Sequence, residues 1–229
     1  MEPRRPGWQL VCGKSGSLSP VDLTDNIGIG TAAPNEQLEI TGNFRSLART
    51  ATTGLVMLDG NRLIHNFGPN NFFAGANAGH LTMTGICCNT GVGVDALTKN
   101  TTGVGDTATG QCALQFNTTG SSNTAFGQST LPFGTTGIKN TATGVVAIFS
   151  NTTRSDNTAA GFSALLANTS GSNNTAIGGS ALGTNITGSH NTAVEFGTDV
   201  SSSNLTNAIA IGNGDLVNAR TRFNWATAA

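Results

Sequence analysis

The sequence predicts an all-β chain: a parallel β-solenoid, or β-roll, built from 17-residue coils. Three observations predict it. Units that read Asn-Thr-Ala, or differ from it by one residue, open at Asn89, Asp106, Asn123, Asn140, Asn157, Asn174 and Asn191, each 17 residues after the last. The composition is poor in charged (10%) and aromatic (6%) residues but rich in Gly (31 of 229), and the small residues fall in a fixed order rather than at random, unlike a flexible linker. Gly recurs throughout each unit and no 3.6-residue period appears, so a helical repeat fails.

Each element follows in chain order. Residues 1–25 are irregular and read as an arm. Gly54–Phe67 reads as two strands around Asp59-Gly60, a strong two-residue hairpin signal, expected to cap the first coil because solenoid ends are open edges. Residues 1–70 are thus an N-terminal arm and β-rich cap (hairpin about 54–68). Residues 71–229 are the β-roll. A divergent unit opens at Asn71, 18 residues before Asn89. Regular units span 89–206, and a degenerate one, 207–223, opens at Asn207 after a step of 16.

The regular units share the pattern N-T-A-x-G-x-S-A-L-x-x-N-T-T-G-x-x. Place two is Thr in all seven. Place three is Ala except at Gly91, place five is Gly except at Glu195, and place nine is Leu or Ile except at Asp199. Seventeen residues read as two short strands, N-T-A-x-G and S-A-L-x-x. The place-five Gly and the N-T-T-G block turn the chain, because Gly and Asn tolerate positive φ. The count is constant because stacked coils, about 4.8 Å apart, must place like over like. So narrow a coil has room for Ala, Gly and one Leu or Ile, and the Asn at places one and twelve are expected to form amide ladders along the rod. One inner Leu per coil is a weak core against the cost of ordering the backbone. A second buried face is therefore expected from apolar residues at places four, six and ten, such as Phe126, Phe149, Phe162, Leu166 and Ile177.

The unit N-T-A-x-G-x-x-A-L-x-x-N-T-T-G resembles the head repeats of trimeric autotransporter adhesins and related bacterial and phage tail-fibre proteins. Family repeats are often 14 residues; this one is three longer, in the N-T-T-G turn. Asn207-Ala-Ile-Ala-Ile-Gly-Asn-Gly214 is closest to the adhesin form. Asn26-Ile-Gly-Ile-Gly-Thr-Ala-Ala-Pro34, followed by Gln37–Gly42, resembles a segment found before such repeats in fibre chains. The resemblance covers about residues 26–42 and 71–223. It implies a left-handed parallel β-roll, three chains side by side, and a role in fibres or surface attachment, on a cell surface, a virion or otherwise outside the cell. The family usually continues into a coiled-coil stalk with a membrane anchor or into a C-terminal chaperone domain; this chain stops at Ala229.

Other function classes find little support. The net charge of −1 argues against a nucleic-acid partner, since phosphate binding needs concentrated Lys and Arg. No apolar run reaches membrane-spanning length, and the N-terminus lacks the apolar stretch of a signal peptide. Gly28-Ile-Gly30-Thr-Ala-Ala33 matches a dinucleotide fingerprint, but Pro34 and the lack of a βαβ pattern speak against one. His65, His80 and His190 are scattered; Asp95, Asp106, Asp156, Glu195 and Asp199 occupy different repeat places; and Cys12, Cys87, Cys88 and Cys112 show no metal-like pair or disulfide framework. No catalytic, cofactor-binding or metal residue is assigned, and no cofactor is expected. The expected function is a non-enzymatic fibre or adhesin module, with itself and a host receptor or glycan as partners. The alternatives are an end-to-end filament subunit and, more remotely, an ice-binding solenoid using the place-two Thr ladder or a glycan-degrading solenoid.

Overall fold

The computed structural model describes residues 27–29, 38–40, 56–58, 61–81 and 87–218. The chain divides into two compact units, Met1–Ser46 and Leu47–Ala229. In the first, β1 (Ile27–Ile29) pairs in parallel with β2 (Leu38–Ile40). The arm expected over residues 1–25 lies outside the described residues.

In the second unit, β3 (Val56–Leu58) and β4 (Asn61–His65) form the expected antiparallel pair around residues 59–60, and β4 pairs antiparallel with β5 (Phe72–Ala74). One strand per coil follows: β6 (Thr90–Val92), β7 (Thr107–Thr109), β8 (Thr124–Phe126), β9 (Thr141–Thr143), β10 (Thr158–Ala160), β11 (Thr175–Ile177) and β12 (Thr192–Val194). After β13 (Asp199–Val200), β14 (Ile209–Ile211) completes an 11-stranded sheet in the order β14-β12-β11-β10-β9-β8-β7-β6-β5-β4-β3, parallel from β5 to β14. β15 (Leu216–Val217) pairs in parallel with β13. The result is a parallel β-solenoid of about eight turns, and no helix occurs among the described residues.

The register is that of the repeat: Thr158, Ala159 and Ala160 lie against Thr175, Ala176 and Ile177. Place-three Ala points inward and is buried from Ala108 to Ala193, because strand side chains alternate. Place-eight Ala and place-nine Leu or Ile fill the rest of the narrow core.

Place-one Asn forms the expected ladder. Asn157 Oδ1 accepts the backbone N–H of Asn174 at 3.1 Å, and Asn174 Oδ1 accepts that of Asn191 at 3.0 Å. The same side chains donate Nδ2 to the place-fifteen carbonyl of their own coil, Asn157 to Gly171 and Asn174 to Gly188. Place-twelve Asn acts differently from expectation. Asn168 closes its own turn, accepting from Gly171 N and donating to Gly171 O at 3.0 and 2.9 Å. It is chiefly a clip within a coil, its amide spanning three residues, and the expected ladder contact is only the long one from Asn185 Nδ2 to Asn168 Oδ1 at 3.5 Å.

Two further expectations are corrected. S-A-L-x-x is not a second strand in the regular coils. Places seven and nine adopt positive φ, as in Ser163 (55°) and Leu165 (52°), and alternating handedness breaks the pleat. Inter-coil hydrogen bonds persist there: Leu165 N donates to Ala181 O at 3.0 Å. Only where Asp199 replaces Leu at place nine does that side become strand, as β13 on β15, and Val200 at place ten is buried. The last unit is also not opened by Asn207. Ala193 pairs with Ala210, and Ala208 N donates to Asn191 Oδ1 at 3.0 Å. Ala208 therefore takes place one after an unbroken step of 17, and Asn207, with φ 57°, closes the coil before it.

Candidate functional site

The interior has one irregular position. Six of the seven regular coils carry Asn at place one; the seventh carries Asp106, which is fully buried. Its backbone N–H donates to Asn89 Oδ1 at 2.8 Å. Its Oδ1 accepts Asn123 N (2.8 Å) and Asn123 Nδ2 (3.2 Å), and its Oδ2 accepts Asn117 Nδ2 (3.0 Å). Loss of solvent raises its carboxyl pKa to about 7, against the opposing effect of the hydrogen bonds from Asn123 and Asn117. Asn117 also donates to Gly120 O at 3.0 Å, while its Oδ1 is buried without a partner. In the sequence Asp106 stands only as one of several carboxylates at different repeat places. The signal for its role was its place in the repeat, where every other regular coil has Asn.

The outward surface is the second candidate. Place two, beside the inward Ala, presents a column of Thr in register from Thr90 to Thr192. Large apolar side chains flank the place-five turn: Phe126 (59% exposed), Ile177 (47%) and Ile211 (57%) at place four, and Phe162 (63%) and Phe196 (64%) at place six. Phe196 lies over Gly179, where an added Cβ would meet its ring at 3.1 Å. A separate aromatic group joins neighbouring coils. Phe116 stacks on Phe133 with centroids 5.5 Å apart, and Phe133 meets Phe149 edge-on at 5.2 Å.

The remaining chemical groups are dispersed. His65 is buried against Phe73, with centroids 5.0 Å apart, while His190 is exposed on a distant coil. Asp95 accepts from Asn77 Nδ2 at 3.1 Å, and Asp199 accepts from Thr184 N and Thr184 Oγ1 at 2.9 and 3.0 Å. Among the described residues, no three His, Cys, Asp or Glu side chains are grouped so as to hold a metal ion. Cys87, Cys88 and Cys112 are free thiols. The hydrogen bond with Cys87 pushes the Cys88 thiol up in pKa, and burial followed by the charge of Asp95 pushes Cys112 up, the opposite of nucleophile activation. Gly28 of the dinucleotide-like run sits inside strand β1, whereas that fingerprint needs its glycines in the turn after a strand. Gly30 and Ala33 of the same run, and Cys12, lie outside the described residues. No helix among the described residues is long and apolar enough to cross a membrane.

Comparison of the chain with protein-family models, with curated sequences and with solved structures yields no match.

Proposed function

We propose that this chain is a non-enzymatic structural module of an extracellular, cell-surface or virion fibre, and that it works as a side-by-side homotrimer. The observation that carries this reading is the line of Phe162, Ile177, Phe196 and Ile211, roughly half or more exposed on four consecutive coils, with Phe126 two coils before them. Exposed apolar side chains gathered along one face mark an interaction surface. The interior supports the same reading. Its polar groups are used in the ladder and its apolar ones are small, so a second buried face would supply much of the missing stabilisation. The β3–β4 hairpin, paired antiparallel on the first coil's strand, would serve as the cap that covers one end. A receptor or glycan partner at the outer surface belongs to this proposal as well.

The test is the particle mass in solution, by light scattering after size exclusion. A mass of three chains is expected. A monomer at micromolar concentration would overturn the trimer.

A second reading has one observation of its own. Among the described residues the parallel sheet ends at β14, an edge that no further described strand pairs. End-to-end joining into filaments would use that edge, and electron micrographs of the same fraction would show it as long rods.

A further inference from the structure

We propose that Asp106 is a proton-operated lock in the asparagine ladder: with a proton on its carboxyl the coil stack is closed at that point, and without it the stack is loosened. The regular coils are equivalent at place one except for this residue. In the other regular coils the place-one side chain both accepts and donates. Asn123 accepts from Asn140 N at 3.0 Å and donates Nδ2 to Gly137 O at 2.9 Å. Asn174 does the same toward Asn191 N and Gly188 O. A carboxylate reproduces only the accepting half, as Asp106 does toward Asn123 N. Protonation turns Oδ2 into the missing donor, in the position that Nδ2 holds elsewhere and on the side of the Gly120 carbonyl.

The surroundings leave no other group to balance the charge. Asn89, Asn100 and Gly103 face Asp106 from the preceding coil, Asn117 and Gly120 from its own, and Asn123 from the next. None of these is titratable, and no charged side chain contributes to the shift of its carboxyl. A carboxylate buried among neutral amides is held by hydrogen bonds alone. Asn117, whose Oδ1 is left unpartnered beside it, marks the same local mismatch.

The sign follows from linkage. The carboxyl titrates near 7 in the fold and near 4 in an unfolded chain. The folded state therefore holds its proton more tightly. The stabilisation is complete below about pH 4, falls as pH rises, and is lost once pH passes 7.

The test is thermal unfolding of the full chain from pH 4 to pH 9, for the natural sequence and for Asp106→Asn. Asn is the residue of the other regular coils, so the variant keeps the ladder. The expected result is a midpoint for the natural chain that drops by several degrees between pH 5 and pH 8.5, and a variant that loses this drop and melts higher at pH 8.5. Identical pH profiles would overturn the proposal. Infrared spectra at pH 5.5 provide a second readout independent of stability. A protonated carboxyl band is expected in the natural chain and absent in Asp106→Asn, and its absence from both would overturn the proposal equally.

Discussion

The ring of Phe73 stands where a side chain on Gly79 would go: an added Cβ would lie 2.5 Å from Phe73 Cγ. In the regular coils a small Ala at place three faces a large Leu at place nine. In the Asn71 coil the sizes are exchanged, with Phe73 at place three and Gly79 at place nine. Gly91, on the next coil, gives way to the same ring, since a Cβ there would lie 2.8 Å from it. One large side chain therefore explains both glycines.

This exchange predicts strong coupling. Phe73→Ala alone leaves a void and should cost about 3–5 kcal/mol. Gly79→Leu alone should also be destabilising, because the ring has no room to yield. The double variant restores the pattern of the regular coils and should recover much of the loss. Chemical denaturation of the four proteins measures this coupling, and simple additivity of the two losses would contradict it.

Glu195 stands where the other regular coils have the turn glycine of place five. At place five the glycines run at φ 124–148°, and Gly161 N donates to Thr143 O at 2.8 Å. Glu195 is held at φ 99°, and the following bond, Gly212 N to Val194 O, lengthens to 3.2 Å. Glu195→Gly should relieve strain of about 1–3 kcal/mol and raise the melting temperature. A lower midpoint would show that the carboxylate is used elsewhere.

Much of this was legible in the sequence, and the limits have physical causes. The step of 17 fixes which residues stack, so the parallel register and the place-one ladder follow from counting alone. The S-A-L segment misleads because nothing in Ser163 or Leu165 signals a positive φ, a conformation rare for such residues that the narrow coil imposes. Asn207 misleads because it begins a motif like those of the other units, yet the backbone bond from Ala208 to Asn191 sets the register. Asp106 was visible as an exception at place one, but its meaning depends on burial, which the sequence does not print.

The Asn140 coil places two β-branched residues in the left-handed region, Val146 at φ 52° and Ile148 at φ 47°. Branching at Cβ makes that conformation costly. Ile148→Leu and Val146→Asn match residue types better suited to these places. Each should stabilise by about 0.5–1 kcal/mol, and together they should slow hydrogen exchange in this coil. Destabilisation by both would place the strain elsewhere.

Asn157 tests the ladder at a regular coil. Its Oδ1 satisfies the buried N–H of Asn174, and Asn157→Ala would leave that donor without a partner. A loss of about 1–3 kcal/mol is expected. Asn157→Asp keeps the acceptor and removes the donor, so its loss should appear at pH 8 and shrink at pH 5. A pH-independent loss would mean that a protonated carboxyl does not take over the amide's bond to Gly171.

Phe162 and Ile177 test the outer face. They are 63% and 47% exposed, so Phe162→Glu and Ile177→Glu remove only part of a side chain's contact within the chain, and exposed-site changes of this kind usually stay within about 0.5 kcal/mol. If the apolar line joins chains, the same changes bury unpaired charge at the contact, which costs far more. The double variant should therefore run as a folded monomer in light scattering, with its circular dichroism retained. A variant that keeps the mass of the natural particle would remove Phe162 and Ile177 from the interface and point instead to the Phe116–Phe133–Phe149 group.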